Sequence, residues 1–108
     1  MAIRPINTPI PKLIRVGRKK YSVEVVEAML EKKCMGRVYY PQQVIRLAKH
    51  SNVNGRRFTE AEVQDTFWHE VVHTILNDMG RHTLNSNEPF VTEFANRLTQ
   101  AINTARFE

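Results

Sequence analysis

Residues 59–80 constrain this chain more than any other stretch. Thr59-Glu60-Ala61-Glu62 is a capping box, in which a threonine and a glutamate three positions on satisfy each other's backbone donors at a helix start. Gly80 suits the left-handed residue that ends a helix. Between these ends a period of 3.6 puts Val63, Phe67, Val71, Ile75 and Met79 on one stripe, which predicts a helix over about 60–78 with that stripe buried. Inside it lies His69-Glu70-Val71-Val72-His73. Imidazoles at i and i+4 differ by only about 40° around the axis, so both reach one metal ion, with Glu70 placed to act on a metal-bound water. The chemistry this spacing predicts is metal-assisted hydrolysis.

Around that helix the chain reads as α+β. Residues 1–11 carry three prolines and are expected to be an extended tail, with a single domain over 12–108. Leu13–Val16 and the alternation of Tyr21, Val23 and Val25 with Ser22 and Glu24 predict a β-hairpin, strands about 12–17 and 20–26. A helix over 22–32 competes for the same residues, and the alternation favours the strand. Gly36 and Pro41-Gln42-Gln43 delimit a second hairpin, strands about 35–40 and 43–48, and the polar 50–57 stretch is a loop. Asn87 and Pro89 mark the start of a last helix over about 88–105, expected to pack through Phe90, Phe94, Leu98, Ala101, Ile102 and Ala105. The two hairpins are expected to form a twisted sheet against the two helices.

Composition narrows the setting. The chain has 108 residues, 42% hydrophobic and 25% charged, and no apolar run long enough for a membrane span. Its start lacks the apolar core of a signal peptide, so a cytoplasmic location is expected. Cys34 is the single cysteine and reads as a structural or incidental thiol. The net charge of +5 is uneven, with Arg15, Arg18, Lys19, Lys20, Lys32, Lys33, Arg37, Arg46, Lys49, Arg56 and Arg57 all preceding the histidine helix. A solvated surface is the favoured reading over a nucleic-acid site, because no nucleic-acid motif or run of interleaved aromatics accompanies the charge.

Two histidines leave a catalytic metal short of a protein ligand. Zinc suits imidazole donors and keeps three protein ligands with an open position when catalytic. An HExxHxxGxxH continuation would need glycine at position 76 and histidine at 79, where this chain has Leu76 and Met79. Asp78 sits about 180° from His69 on the same helix and points away. Of the downstream candidates, Glu88 falls on the border of the last helix's apolar stripe, about 90° from its centre, and Glu93 about 130° away. Glu88 ranks first, His82 next and Glu93 third; an acid in a helix's first turn is also ordinary dipole complementarity.

With these residues in place, the chain resembles the gluzincin class of metallopeptidases, and within it the short HExxH proteins related to the ImmA/IrrE family found in phages and mobile elements. The resemblance runs over roughly residues 12–105, through KKYSVEVV, MGRVYYPQQVIRLA, TFWHEVVHTIL and NEPFVTEFANRL. It implies a zincin-like domain in which a glutamate opening the next helix completes the site in an ExxxxxFA pattern, matched here by Glu88 before Phe94-Ala95. It also implies a phage or mobile-element chain and a sheet edge, on either strand of the 35–48 hairpin, that aligns a peptide beside the metal. The family's helical segment before the sheet and an attached DNA-binding domain have no counterpart in these residues, so a repressor-cleaving role is not carried over.

The expectation is a zinc peptidase. His69, His73 and Glu88 hold Zn2+, Glu70 is the general base, and the partner is a protein or peptide substrate. Oxyanion contacts are sought among His82, Arg81, Tyr39 and Tyr40, the tyrosines also reading as ordinary strand aromatics. Thr66 and Glu62 share the histidine face and are potential partners of the ligands, while Phe67 and Trp68 read as packing residues. Two rivals stand beside it: a non-catalytic zinc-containing regulatory protein, and a basic nucleic-acid-binding module.

Overall fold

A computed structural model describes residues 10–107. Its elements are β1 (Leu13–Val16), β2 (Lys19–Val26), β3 (Gly36–Tyr39), β4 (Val44–Ala48), α1 (Glu60–Asp78), α2 (His82–Asn85) and α3 (Glu88–Thr104). The α+β expectation and the limits of all four strands and both long helices hold to within a residue. The extended-tail expectation falls outside the described residues except at Ile10 and Pro11; Ile10 packs, partly buried, against the core.

The four strands form one sheet in the order β1-β2-β4-β3. Each hairpin is antiparallel, and the two are joined by a parallel β2–β4 pair that sets Val23 beside Ile45 and Val25 beside Leu47. The chain therefore crosses from the centre to the far edge after β2 and returns through the β3–β4 hairpin. Both β1 and β3 are edges.

Alternation along the strands sends Tyr21, Val38, Ile45 and Leu47 to one face, where they meet Phe67 and Val71 of α1. Glu24, Arg46 and Tyr39 go to the other. There Arg46 pairs with Glu24 at 2.9 Å and lies 4.9 Å from the Tyr39 ring centroid, a charged patch next to a small buried cluster of Met29, Ala48 and Phe58.

Helix α1 starts as its capping box dictates: Thr59 Oγ1 accepts from the Glu62 N–H at 3.1 Å, and Glu62 Oε1 accepts from the Thr59 N–H at 2.9 Å. It ends in a Schellman motif, with Gly80 at φ 71° and the Arg81 N–H donating to the Leu76 carbonyl at 2.9 Å. Its burial departs from the single-stripe expectation. Phe67 and Val71 are buried against the sheet, but Val72 and Leu76 are buried against Val91 and Ala95 of α3, while Ile75 and Met79 are exposed. The helix is the middle of three layers, so two faces are covered and the residues between them are left to solvent.

Helix α3 packs through Val91, Ala95 and Thr99, flanked by Phe90 and Leu98, and Phe94 and Ala101 lie exposed. Small residues on the contact face let two helices approach closely, and bulky Phe94 is displaced outward. At the far end Asn103 Nδ2 donates to Gln64 Oε1 at 2.9 Å, a polar clasp between α3 and buried Gln64. No helix among the described residues is long and apolar enough to cross a membrane.

Candidate metal centre

The site lies where α1, the start of α3 and the approach to β3 meet. The reversal through 79–87 brings α3 back along α1, and Asn87 sets where α3 begins by accepting from the Phe90 N–H at 3.2 Å. Glu88 is consequently the first residue of α3, facing the two histidines. Its Oε1 is 2.8 Å from His73 Nε2 and its Oε2 3.3 Å from His69 Nε2. The ligand atoms of these three residues all lie within 4.8 Å of one another. Donors about 2.0–2.1 Å from a tetrahedral metal stand about 3.3–3.5 Å apart, so these three residues are close enough together to hold one metal ion after side-chain adjustment.

His73 is held from behind. Its Nδ1 lies 2.6 Å from Asn85 Oδ1 on α2, an acceptor that suits a proton on Nδ1, so Nε2, which here contacts Glu88, is the nitrogen that would face a metal. Tyr40 closes the same corner by donating from its hydroxyl to the His73 carbonyl at 3.3 Å. Burial pushes the Tyr40 hydroxyl pKa up, with a hydrogen bond to Asn85 acting against it. The imidazoles of His69 and His73 meet edge to face with centroids 4.9 Å apart. Burial lowers the pKa of His69, as does the neighbouring His73, which favours the neutral, metal-binding form.

Glu70 stands one position along α1 and is 8% exposed. Burial is the main reason its pKa is pushed up to about 7, against the pull of His73 and with help from the Glu88 charge. A carboxylate near neutrality is suited to taking and returning protons at physiological pH. It opens onto a cleft of about 650 Å³ shared with His69, His73 and Glu88.

The opposite wall of the cleft is the segment from Lys33 to Arg37. Asn52 anchors its lead-in, donating to the Met29 carbonyl at 2.9 Å and accepting from the Lys33 N–H at 3.1 Å. Gly36 brings the wall close to the helix: a Cβ there would stand 2.7 Å from Thr66 Cγ2. Cys34 lines the same cleft; its thiol donates to the Gly36 carbonyl at 3.0 Å, and burial pushes its pKa up, which disfavours the thiolate a metal would bind.

The other sequence candidates take different places. His82 is exposed at the start of α2, outside the cluster, and Glu93 lines a neighbouring groove with Asp65 and Arg97. Tyr40 supports His73 instead of lining the cleft, and Tyr39 donates to Glu31 at 2.7 Å on the far face of the sheet. Glu62 and Thr66 do line the cleft, but Glu62 is engaged by Arg56 and the helix cap, and the Thr66 hydroxyl donates to the Glu62 carbonyl. Asn85 is the residue that sequence reasoning missed. The general rule that a ligand histidine needs a partner at its other nitrogen predicts that such a residue exists, yet nothing in Asn85-Ser86-Asn87 distinguishes it from a turn.

No protein-family profile, curated protein or solved structure matches this chain.

Proposed function

We propose that this chain is a zinc-dependent metallopeptidase of minimal size, a zincin-like domain akin to the short gluzincins of the ImmA/IrrE group encoded by phages and mobile elements. The observation that carries the reading is the placement of Glu70, buried and proton-poised, in one cleft with a His69, His73 and Glu88 donor set. Two imidazoles and a carboxylate are the donors of a catalytic zinc site with a position left open. When bound there, zinc supplies a water of lowered pKa and polarises a carbonyl oxygen.

The chain's own residues do the rest. Glu70 takes a proton from the attacking water and delivers it to the leaving amine as the peptide bond breaks. Asn85 holds His73 in the tautomer that offers Nε2, and Tyr40 fixes the backbone behind it. A peptide substrate is favoured because β3 is an edge strand whose Gly36 and Arg37 line the cleft, so an extended chain can add to the sheet beside the metal centre.

Chelation separates this reading from a regulatory protein with a structural zinc. The zinc-loaded chain is incubated with a mixture of unstructured peptides before and after metal removal, and melting is followed in parallel. Cleavage that stops on chelation while most of the fold persists supports the peptidase. No cleavage, with a collapse of the melting temperature on metal removal, supports the structural role.

A further inference from the structure

We propose that the β1–β2 hairpin, on the sheet edge opposite the metal cleft, is a docking surface for the phosphate backbone of double-stranded nucleic acid. Residues 12–20 hold Lys12, Arg15, Arg18, Lys19 and Lys20 and no acid. The remaining Lys and Arg number eleven, matched by eleven Asp and Glu, so residues 12–20 carry a charge equal to the whole net +5. Position agrees with composition. Elsewhere Arg46, Lys49 and Arg56 are each paired with an acid, Glu24, Glu27 and Glu62 respectively. The five hairpin cations are all exposed, and among the described residues none is paired with an acid.

Strand register sharpens the point. Arg15 and Lys20 stand directly opposite each other across β1 and β2. Like charges in that position destabilise a sheet, and an anion bound between them reverses the sign. Asp78 lies beneath the turn against Gly17, where a Cβ would stand 2.5 Å from its carboxylate.

Chemistry selects the partner. A single-strand binder needs exposed aromatics on which bases stack, and the hairpin's aromatic, Tyr21, is 2% exposed in the core. What remains is a strip of long cations suited to phosphates at fixed spacing, which gives binding without sequence preference. The opposite placement of β1 and β3 keeps this surface clear of the cleft.

The test is fluorescence anisotropy of a short labelled DNA duplex titrated with the full chain. If all five cations engage phosphates, affinity falls about 10²–10³-fold between 50 and 200 mM salt. The triple variant Arg18→Glu, Lys19→Glu, Lys20→Glu should lose most of the binding and most of the salt slope. A charge-matched control, Lys32→Glu, Arg57→Glu, Arg97→Glu, should keep the slope and bind at least about tenfold more tightly than the hairpin variant. Melting curves establish that both variants fold, and an Arg18→Gln, Lys19→Gln, Lys20→Gln version replaces the first if it does not. Equal losses in hairpin and control variants, tighter binding of single strand than duplex, displacement by polyglutamate at equal charge, or no binding at 50 mM salt would each overturn the assignment.

Discussion

His73 and Asn85 are joined across 2.6 Å, ring nitrogen to amide oxygen, by a four-residue helix between the two long ones. The contact decides which imidazole nitrogen faces the metal centre. Replacing Asn85 by alanine removes the acceptor, and zinc affinity should fall about 10–100-fold while the far-ultraviolet circular dichroism stays unchanged. Asn85→Asp, which keeps an acceptor, should bind zinc at least as tightly as the parent. Competition with a chromophoric chelator reads both, and an unchanged affinity in Asn85→Ala would remove the residue from the site.

Glu88 is the third member of the donor cluster and the proposed third ligand. Glu88→Ala should lose zinc affinity by about two orders of magnitude or more, whereas His82→Ala and Glu93→Ala should retain the parental value. Metal content measured after dialysis against a weak chelator distinguishes the three. Loss of zinc in His82→Ala with retention in Glu88→Ala would reassign the ligand.

The raised pKa of Glu70 has a consequence for the metal-free protein. Below its ordinary pKa near 4.5 the carboxyl is protonated in both folded and unfolded states and contributes nothing. Between that value and about 7 the unfolded chain gives up its proton while the folded chain holds it, so stability declines with rising pH and the loss is complete above the folded pKa. The full penalty is about 3 kcal/mol. Glu70→Gln should therefore melt with the wild type near pH 4 and above it at pH 8, both without metal. Parallel melting curves across that range would show that Glu70 carries no burial penalty.

Gly36 governs the width of the cleft. Alanine there places a methyl 2.7 Å from Thr66 Cγ2 and 3.1 Å from Leu47 Cδ2, so either the Thr66 side chain or the edge strand must shift. A loss of about 1–3 kcal/mol in stability is expected, with weaker peptide binding and unchanged zinc affinity. Chemical denaturation and zinc titration of Gly36→Ala measure the two effects separately.

Much of this was legible in the residues because local chemistry encodes it. The capping box and Gly80 bound α1, Asn87 and Pro89 place the start of α3, and those two limits together carry Glu88 to the histidines. Other features depend on contacts distant in sequence. The parallel β2–β4 pairing leaves no mark on either strand, since alternation reports a buried face and not a neighbour. The outward turn of Ile75, Met79 and Phe94 follows from α1 being covered on two sides, by a sheet and by a helix whose contact residues are small. Helix α2 is a single turn, too short for any periodicity to announce it, and it carries the one supporting residue that pattern reading passed over.

The most direct measurement compares zinc-loaded wild type with zinc-loaded Glu70→Gln on one cleavable peptide, with metal content determined for both. Equal zinc per chain, with turnover in the wild type and a loss of at least about 10²-fold in the variant, is the predicted result. Cleavage by Glu70→Gln at the wild-type rate, with zinc in place, would contradict the assignment of Glu70 as the base and with it the proposed mechanism.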